Sequence, residues 1–215
     1  MDNKDKLIIS LYDYTGNWVM DYINAGYTVI LWDKEFEGDL IERFGWLMCR
    51  VDDLKEQNPR LIVYGIFAAP PCQAITKSSN RYWYNRYLEP FIGELEAFEN
   101  LTVLSTMLVE IALHAVDVFK PKFWVLENPP GRMETLVPAI KPHRKMMFQP
   151  CDYGDPYSKP TVLWGEFNHN LPQSPVLPIM TNMIRDMGAR KGKSRARLRS
   201  ATPRGFAKAF FQANR

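Results

Sequence analysis

The 215-residue chain is short of everything that a metal centre or a disulfide framework requires. Its three cysteines, Cys49, Cys72 and Cys151, are far apart, odd in number and form no CxxC pair, so neither linked disulfides nor a zinc knuckle is indicated. The three histidines, His114, His143 and His169, are equally scattered, and no metal is expected. No internal repeat or long low-complexity tract interrupts the chain. The first ten residues, MDNKDKLIIS, carry no apolar signal region, and the apolar run from Leu61 to Cys72 is too short to span a bilayer. A soluble cytoplasmic protein without membrane contact is therefore expected.

What is present suffices for one real core. Hydrophobic residues make up 46% of the chain, which fits a single α/β domain with a small appendage. The net charge of +3 conceals an asymmetry. Between Arg185 and Arg199 the sequence RDMGARKGKSRARLR carries seven basic residues and one acid, a local charge of +6, so the other 200 residues sum to −3. Such a run is either a solvated face or a contact for a polyanion, since clustered Lys and Arg release counterions from phosphates.

Short β-branched and aromatic runs alternate with longer helical patterns, which predicts βαβ units and a mainly parallel sheet with helices on both faces, a Rossmann-like α/β fold. Strands are expected at Leu7 to Tyr12, Tyr27 to Trp32, Trp46 to Val51, Leu61 to Ala68 and Phe123 to Leu126, with two more near Lys145 to Gln149 and Val162 to Trp164. Between about Glu89 and Phe119 the spacing of Leu95, Phe98, Leu101, Leu104, Leu108, Ile111, Ala115 and Val118 predicts a long helix with these residues in the core. A last helix is expected over Gly205 to Gln212, beside the first strand.

In an open parallel sheet, ligands bind at the carboxyl ends of the strands. The residues predicted there are Asp13, Thr15 and Gly16 after the first strand, Asp33 after the second and Asp52 or Asp53 after the third. Cys72 follows the fourth, and Glu127 with Asn128 the fifth. All the unusual chemistry falls on one edge.

Four motifs, PPCQ, ENPP, DYGDPYSKPT and SATPRGFAKAF, occur in the order of those of the cytosine carbon-5 DNA methyltransferases, and the chain resembles short, phage-type members of that family. The resemblance implies an enzyme that flips a cytosine out of DNA and methylates carbon 5 using S-adenosylmethionine. In that reading Cys72 is the nucleophile toward carbon 6, and Glu127 stabilises charge on ring nitrogen 3. Asn128 holds the Pro70-Pro71-Cys72 loop, whose two prolines stiffen the turn. Lys159 and Thr161 fall where the family has two arginines. On the cofactor side the resemblance implicates Tyr12, Asp13, Thr15, Gly16, Asn17, Trp18 and Pro70. Asp33, with Trp32 or Lys34 nearby, would serve the ribose hydroxyls and Asp52 or Asp53 the adenine amine. One glycine, Gly16, stands where two or three are usual, and Tyr14 occupies one of those sites.

Contacts to DNA are expected from Gln73, Lys77, Arg81, Tyr82, Arg86 and Lys159, and from Arg190, Lys191, Lys193 and Arg195 in the basic run. The aromatics of KSSNRYWYNRY serve either base stacking or packing. The catalytic domain would comprise residues 1–165 plus 200–215. Residues 166–199 would be a short basic remnant of a target-recognition region, which implies short or relaxed sequence specificity. A monomer in the cytoplasm, of the host cell if phage-encoded, is expected. Two rivals are a non-catalytic nucleic-acid-binding relative and an enzyme of the same chemistry acting on RNA or nucleotide cytosine.

Overall fold

The computed structural model describes residues 1–76, 92–179 and 200–215. Four parallel strands, β1 (Lys6–Leu11), β2 (Thr28–Trp32), β3 (Ile62–Ala68) and β4 (Phe123–Asn128), are completed by an antiparallel hairpin of β5 (Lys145–Phe148) and β6 (Thr161–Glu166). The order across the sheet is β2-β1-β3-β4-β6-β5. Pairing of Trp32 with Leu11, Leu11 with Ala68 and Ala68 with Leu126 sets the carboxyl ends of the four parallel strands level. Asn128 pairs with Val162, so the start of β6 lies on the same edge. The fold is Rossmann-like, with helices on both faces.

Alternation along the strands sorts the core into two layers. Leu7, Ile9, Leu11, Val63, Ile66, Trp124 and Leu126 pack beneath α2 (Leu40–Gln57) and α3 (Ile92–Phe119). Ile8, Phe67, Phe123, Val125 and Leu163 pack on the opposite face with Phe206 and Phe210 of α5 (Arg204–Ala213) and Tyr22 of α1 (Met20–Asn24). A short α4 (Met133–Leu136) follows β4. The second layer is aromatic: the fully buried Phe67 ring lies 5.0–5.5 Å from the rings of Trp18, Tyr22, Phe123 and Phe210. Each such pair contributes about 0.5–1.5 kcal/mol beyond its buried area. Gly65 makes room for this cluster, since a Cβ there would stand 2.3 Å from Phe123 Cζ. Phe167 and Leu171 also belong to this layer, so the chain stays on the core for several residues beyond β6.

Two expectations are corrected. The strand predicted at Trp46 to Val51 is the middle of α2. Asp39 caps that helix by accepting from Ile41 N at 3.0 Å, and Leu40, Leu47 and Val51 turn inward at helical spacing. At its far end Asn58 donates to Asp5 Oδ1 at 3.0 Å, beside the start of β1. Asp52 lies six residues, about 9 Å, from that end. Asp52 and Asp53 are thus exposed toward the amino end of the sheet and not at the carboxyl edge.

The buried face of α3 is the second correction. It is formed by Phe98, Ser105, Val109, Ala112 and Ala115, whereas Leu104 (47%) and Val118 (39%) are exposed. By length and composition the segment Glu96–Phe119 is apolar enough to cross a membrane; here its inner face lies on the sheet.

Candidate active site

Beyond β3 the chain turns sharply. Ala69 N donates to Leu11 O at 3.0 Å, Pro70 is buried, and the carbonyl of half-buried Cys72 accepts from both Ile75 N and Thr76 N at 3.0 Å. This turn is clamped to the segment that follows β4. Asn128, fully buried, donates from Nδ2 to Pro70 O at 3.0 Å. Arg132 N donates to Ile75 O at 2.8 Å, and Thr76 pairs with Gly131 as an isolated bridge. Gly131 is required there: a Cβ would stand 2.0 Å from the Ile75 carbonyl oxygen. The turn that carries the candidate nucleophile and the segment that directly follows the candidate acid are therefore one tied unit.

Glu127 is half-buried in β4, paired with Leu163 of β6. Burial pushes its carboxyl above the ordinary glutamate range; the positive charge of Lys159 offsets part of this, and the negative charge of Asp13 adds to it. The four side chains thus come to one edge from four elements: Asp13 after β1, Cys72 after β3, Glu127 in β4 and Lys159 just before β6. Thr161 is nearly inaccessible, at 1%, and its hydroxyl donates to the Lys159 carbonyl at 2.9 Å. It supports the backbone of Lys159 from below.

The turn after β1 is organised by a carboxylate. Asp13 is buried and accepts from Ser10 Oγ at 3.2 Å, Thr15 Oγ1 at 3.1 Å and Gly16 N at 2.9 Å. Burial raises its carboxyl, and these bonds counteract the shift. Gly16 adopts φ +64°, where a side chain is strained, and a Cβ would also press on Leu31 Cδ1 at 3.3 Å. Asn17 N donates to Thr15 Oγ1 at 3.3 Å. Tyr12 likewise has a left-handed φ, +63°, and its hydroxyl donates to Leu108 O of α3 at 2.8 Å. The Trp18 ring points into the aromatic core, leaving only its backbone at the turn. Asp33, half-buried, caps its own turn by accepting from Glu35 N at 3.0 Å, and Lys34 beside it is exposed.

Several contributors had no mark in the sequence. Ser10 is one. Another is Arg204, whose Nη1 donates to Asn17 O at 2.7 Å while Nη2 pairs with Asp21 at 3.3 Å, so α5 holds the first turn. Asp155 accepts from Gly205 N at 3.0 Å, and a Cβ on Gly205 would meet Tyr153 O at 1.9 Å. The motifs DYGDP and TPRGF contain these residues, but only folding shows that they dock on each other.

Gln73 is exposed on the Cys72 turn. The other expected DNA contacts, Lys77, Arg81, Tyr82, Arg86, Arg190, Lys191, Lys193 and Arg195, lie outside the described residues. Among the described residues no group of three or more His, Cys, Asp or Glu side chains is placed to hold a metal ion. An open cavity of about 330 Å³, lined by Tyr64, Lys122, Glu166 and Asn168 among others, lies at the amino end of the sheet, away from this edge.

No protein-family profile matches the chain. No curated protein matches it. Solved structures do resemble it. One is a candidate DNA modification methyltransferase encoded within an Escherichia coli prophage, at 16% identity over 78% of this chain and 49% of that one, with a TM-score of 0.37. A second is the Entamoeba histolytica methyltransferase EhMeth, at 17% identity over 84% and 58%, with a TM-score of 0.44. A third is a triple mutant of DNMT2 from Spodoptera frugiperda, at 15% identity over 80% and 53%, with a TM-score of 0.36. The chain spans about half the length of these structures, which are all described as methyltransferases or named for them.

Proposed function

We propose that the protein transfers a methyl group from S-adenosylmethionine to carbon 5 of a cytosine flipped out of DNA, through a covalent bond to Cys72. The observation that carries this reading is the Asn128–Pro70 hydrogen bond, which ties the Cys72 turn to the strand end bearing Glu127. A lone cysteine behind two prolines would mean little; one on a turn tied to the strand end of an acid that burial keeps protonated is suited to attack on a pyrimidine.

The chemistry follows from the groups present. The Cys72 thiolate adds to carbon 6, and the electron pair of the 5,6 double bond moves to carbon 5. Glu127 meets the other requirement. Its burial favours the protonated form, which can donate to ring nitrogen 3 as negative charge develops there. Lys159 supplies a point charge on the same side for the base carbonyl or a phosphate. After methylation a loop water takes the proton from carbon 5, the C–H electron pair re-forms the 5,6 double bond and the Cys72 sulfur leaves with its electron pair.

The residues of the first turn fit the cofactor. The turn is built around the absent side chain of Gly16, with Asp33 at the adjacent strand end for ribose hydroxyls. S-adenosylmethionine would supply there a methyl group made electrophilic by a sulfonium. Thr15, Gly16 and Asn17 would face its amino-acid end, and Pro70 would border it. The 166–199 region would serve as a reduced recognition element, giving short or relaxed specificity in a cytoplasmic enzyme that acts as a single copy. Incubation with cytosine-containing DNA and methyl-labelled S-adenosylmethionine tests the reading: label in 5-methylcytosine supports it, and its absence, or transfer to RNA alone, contradicts it.

A further inference from the structure

Because the segment Trp46 to Val51 is helical and not a third parallel strand, β2 is left as an outer strand of the sheet. Its far side is open. Tyr12 N donates to Trp32 O at 2.7 Å, so Trp32, and by alternation Ile30 and Thr28, turn their backbone groups toward β1. Val29 and Leu31 turn theirs outward, and among the described residues nothing bonds to them there.

The two outer strands of the sheet differ in how they meet water. β5 is four residues long and starts on exposed Arg144 and Lys145, the kind of charge that keeps a sheet edge from pairing. The sequence of β2, TVILW, has no charge and no proline, and its register with β1 is unbroken. Its edge lacks that protection. Leu31 is 39% exposed beside it, and α1, on the same face of the sheet, adds exposed Met20 and Ile23.

We infer that β2 pairs antiparallel with β2 of a second copy about a two-fold axis at Ile30. In that register Val29 of each copy lies opposite Leu31 of the other, and each such pair exchanges both of its N–H···O=C bonds. Every outward group on these residues is then used. A two-fold contact presents the same patch on both copies, and here it covers the exposed Leu31 side chain.

Charge supports the antiparallel direction. The turn after β2 carries Asp33, Glu35 and Glu37 against the single cation Lys34. Antiparallel pairing lays this acidic turn beside the amino end of the other β2. There Thr28 Oγ1 donates to Lys4 O at 3.1 Å and Lys6 Nζ lies 5.0 Å from the Tyr27 ring, and Lys4, Lys6 and Arg60 outnumber Asp2 and Asp5. A parallel pairing would set the two acidic turns together, at a cost. The contact takes nothing from the strand-end edge, so each copy keeps a whole site, and the two sites point to opposite ends of the joined sheet.

Sedimentation equilibrium of the full chain over a concentration series is the test, with hydrogen exchange across residues 28–32 as the second readout. One short strand with its flanking side chains is a small interface, so the wild type should form a dimer that dissociates on dilution. The Val29 and Leu31 amides should exchange slowly in the dimer and fast in the monomer. Leu31→Lys puts a charge on the edge and should weaken the dimer by about tenfold or more. Its far-UV spectrum should match the wild type because Leu31 is partly exposed, and Met147→Lys, on the exposed side of β5, should dimerise normally. The exchange readout needs no variant, so it decides the case even where Leu31→Lys misfolds. A wild type that stays monomeric throughout, a dimer indifferent to a folded Leu31→Lys, fast exchange at both amides in the dimer, or equal weakening by Met147→Lys overturns the inference.

Discussion

Glu127 shows how placement sets the charge of one residue. Its carboxyl holds a proton above the ordinary value of 4.5, because burial outweighs the attraction of Lys159. Between that value and the raised one, the folded protein binds more protons than the unfolded chain, so stability falls as pH rises through the interval. Below it both states are protonated and the penalty disappears. Glu127→Gln removes the ionisable group, so its melting temperature should exceed that of the wild type at pH 8 and converge with it below about pH 4.5. Thermal melts at both pH values check this, and an offset that does not change with pH contradicts it. The same variant should lose turnover, since a neutral amide cannot pass a proton to ring nitrogen 3. Cys72→Ser should fold normally and form no methylcytosine, because a hydroxyl is a far weaker nucleophile than a thiolate.

Among the elements, the paired loops after β3 and β4 decide whether Cys72 and Glu127 keep their register. Asn128→Ala leaves the Pro70 carbonyl without its donor and should cost about 1–3 kcal/mol in a denaturant melt. Gly131→Ala forces a Cβ against the Ile75 carbonyl; overpacking of this kind costs about 1–3 kcal/mol. Its turnover should fall further than that of an equally destabilised variant in the aromatic core. The strands that carry these loops were legible, since Leu61 to Ala68 and Phe123 to Leu126 are apolar runs too continuous for anything but a covered sheet. The misread element is instructive. WLMCRV has a strand's composition over six residues, but Leu40, Leu47, Val51 and half-buried Phe44 and Leu54 recur at helical spacing over fifteen, and the longer period wins. Gly131, Gly205, Asp155 and Arg204 could not be read in advance, because each acts on backbone far away in sequence.

At the scale of the molecule, the sheet gathers onto one edge residues from across the chain: Asp13, Asp33, Cys72, Glu127 and Lys159. The edge was visible in the sequence as a series of strand ends, and its one false member came from the misplaced third strand. Along the sequence, positive charge is concentrated in the 185–199 run, and the other 200 residues sum to −3. If that run grips DNA, replacing Arg190, Lys191, Lys193 and Arg195 by Ser should flatten the slope of log affinity against log salt by up to about 3 to 4, at roughly 0.9 for each phosphate no longer neutralised. An unchanged slope assigns the run to solvent. Covalent catalysis by Cys72 at this edge can be read in a mass spectrum. DNA carrying 5-fluorocytosine blocks loss of the carbon 5 substituent, so after methyl transfer the enzyme should remain bonded to the base. A protein–DNA adduct should form that needs S-adenosylmethionine, maps to Cys72 and is absent from Cys72→Ser; no adduct, or one on another residue, contradicts covalent catalysis by Cys72.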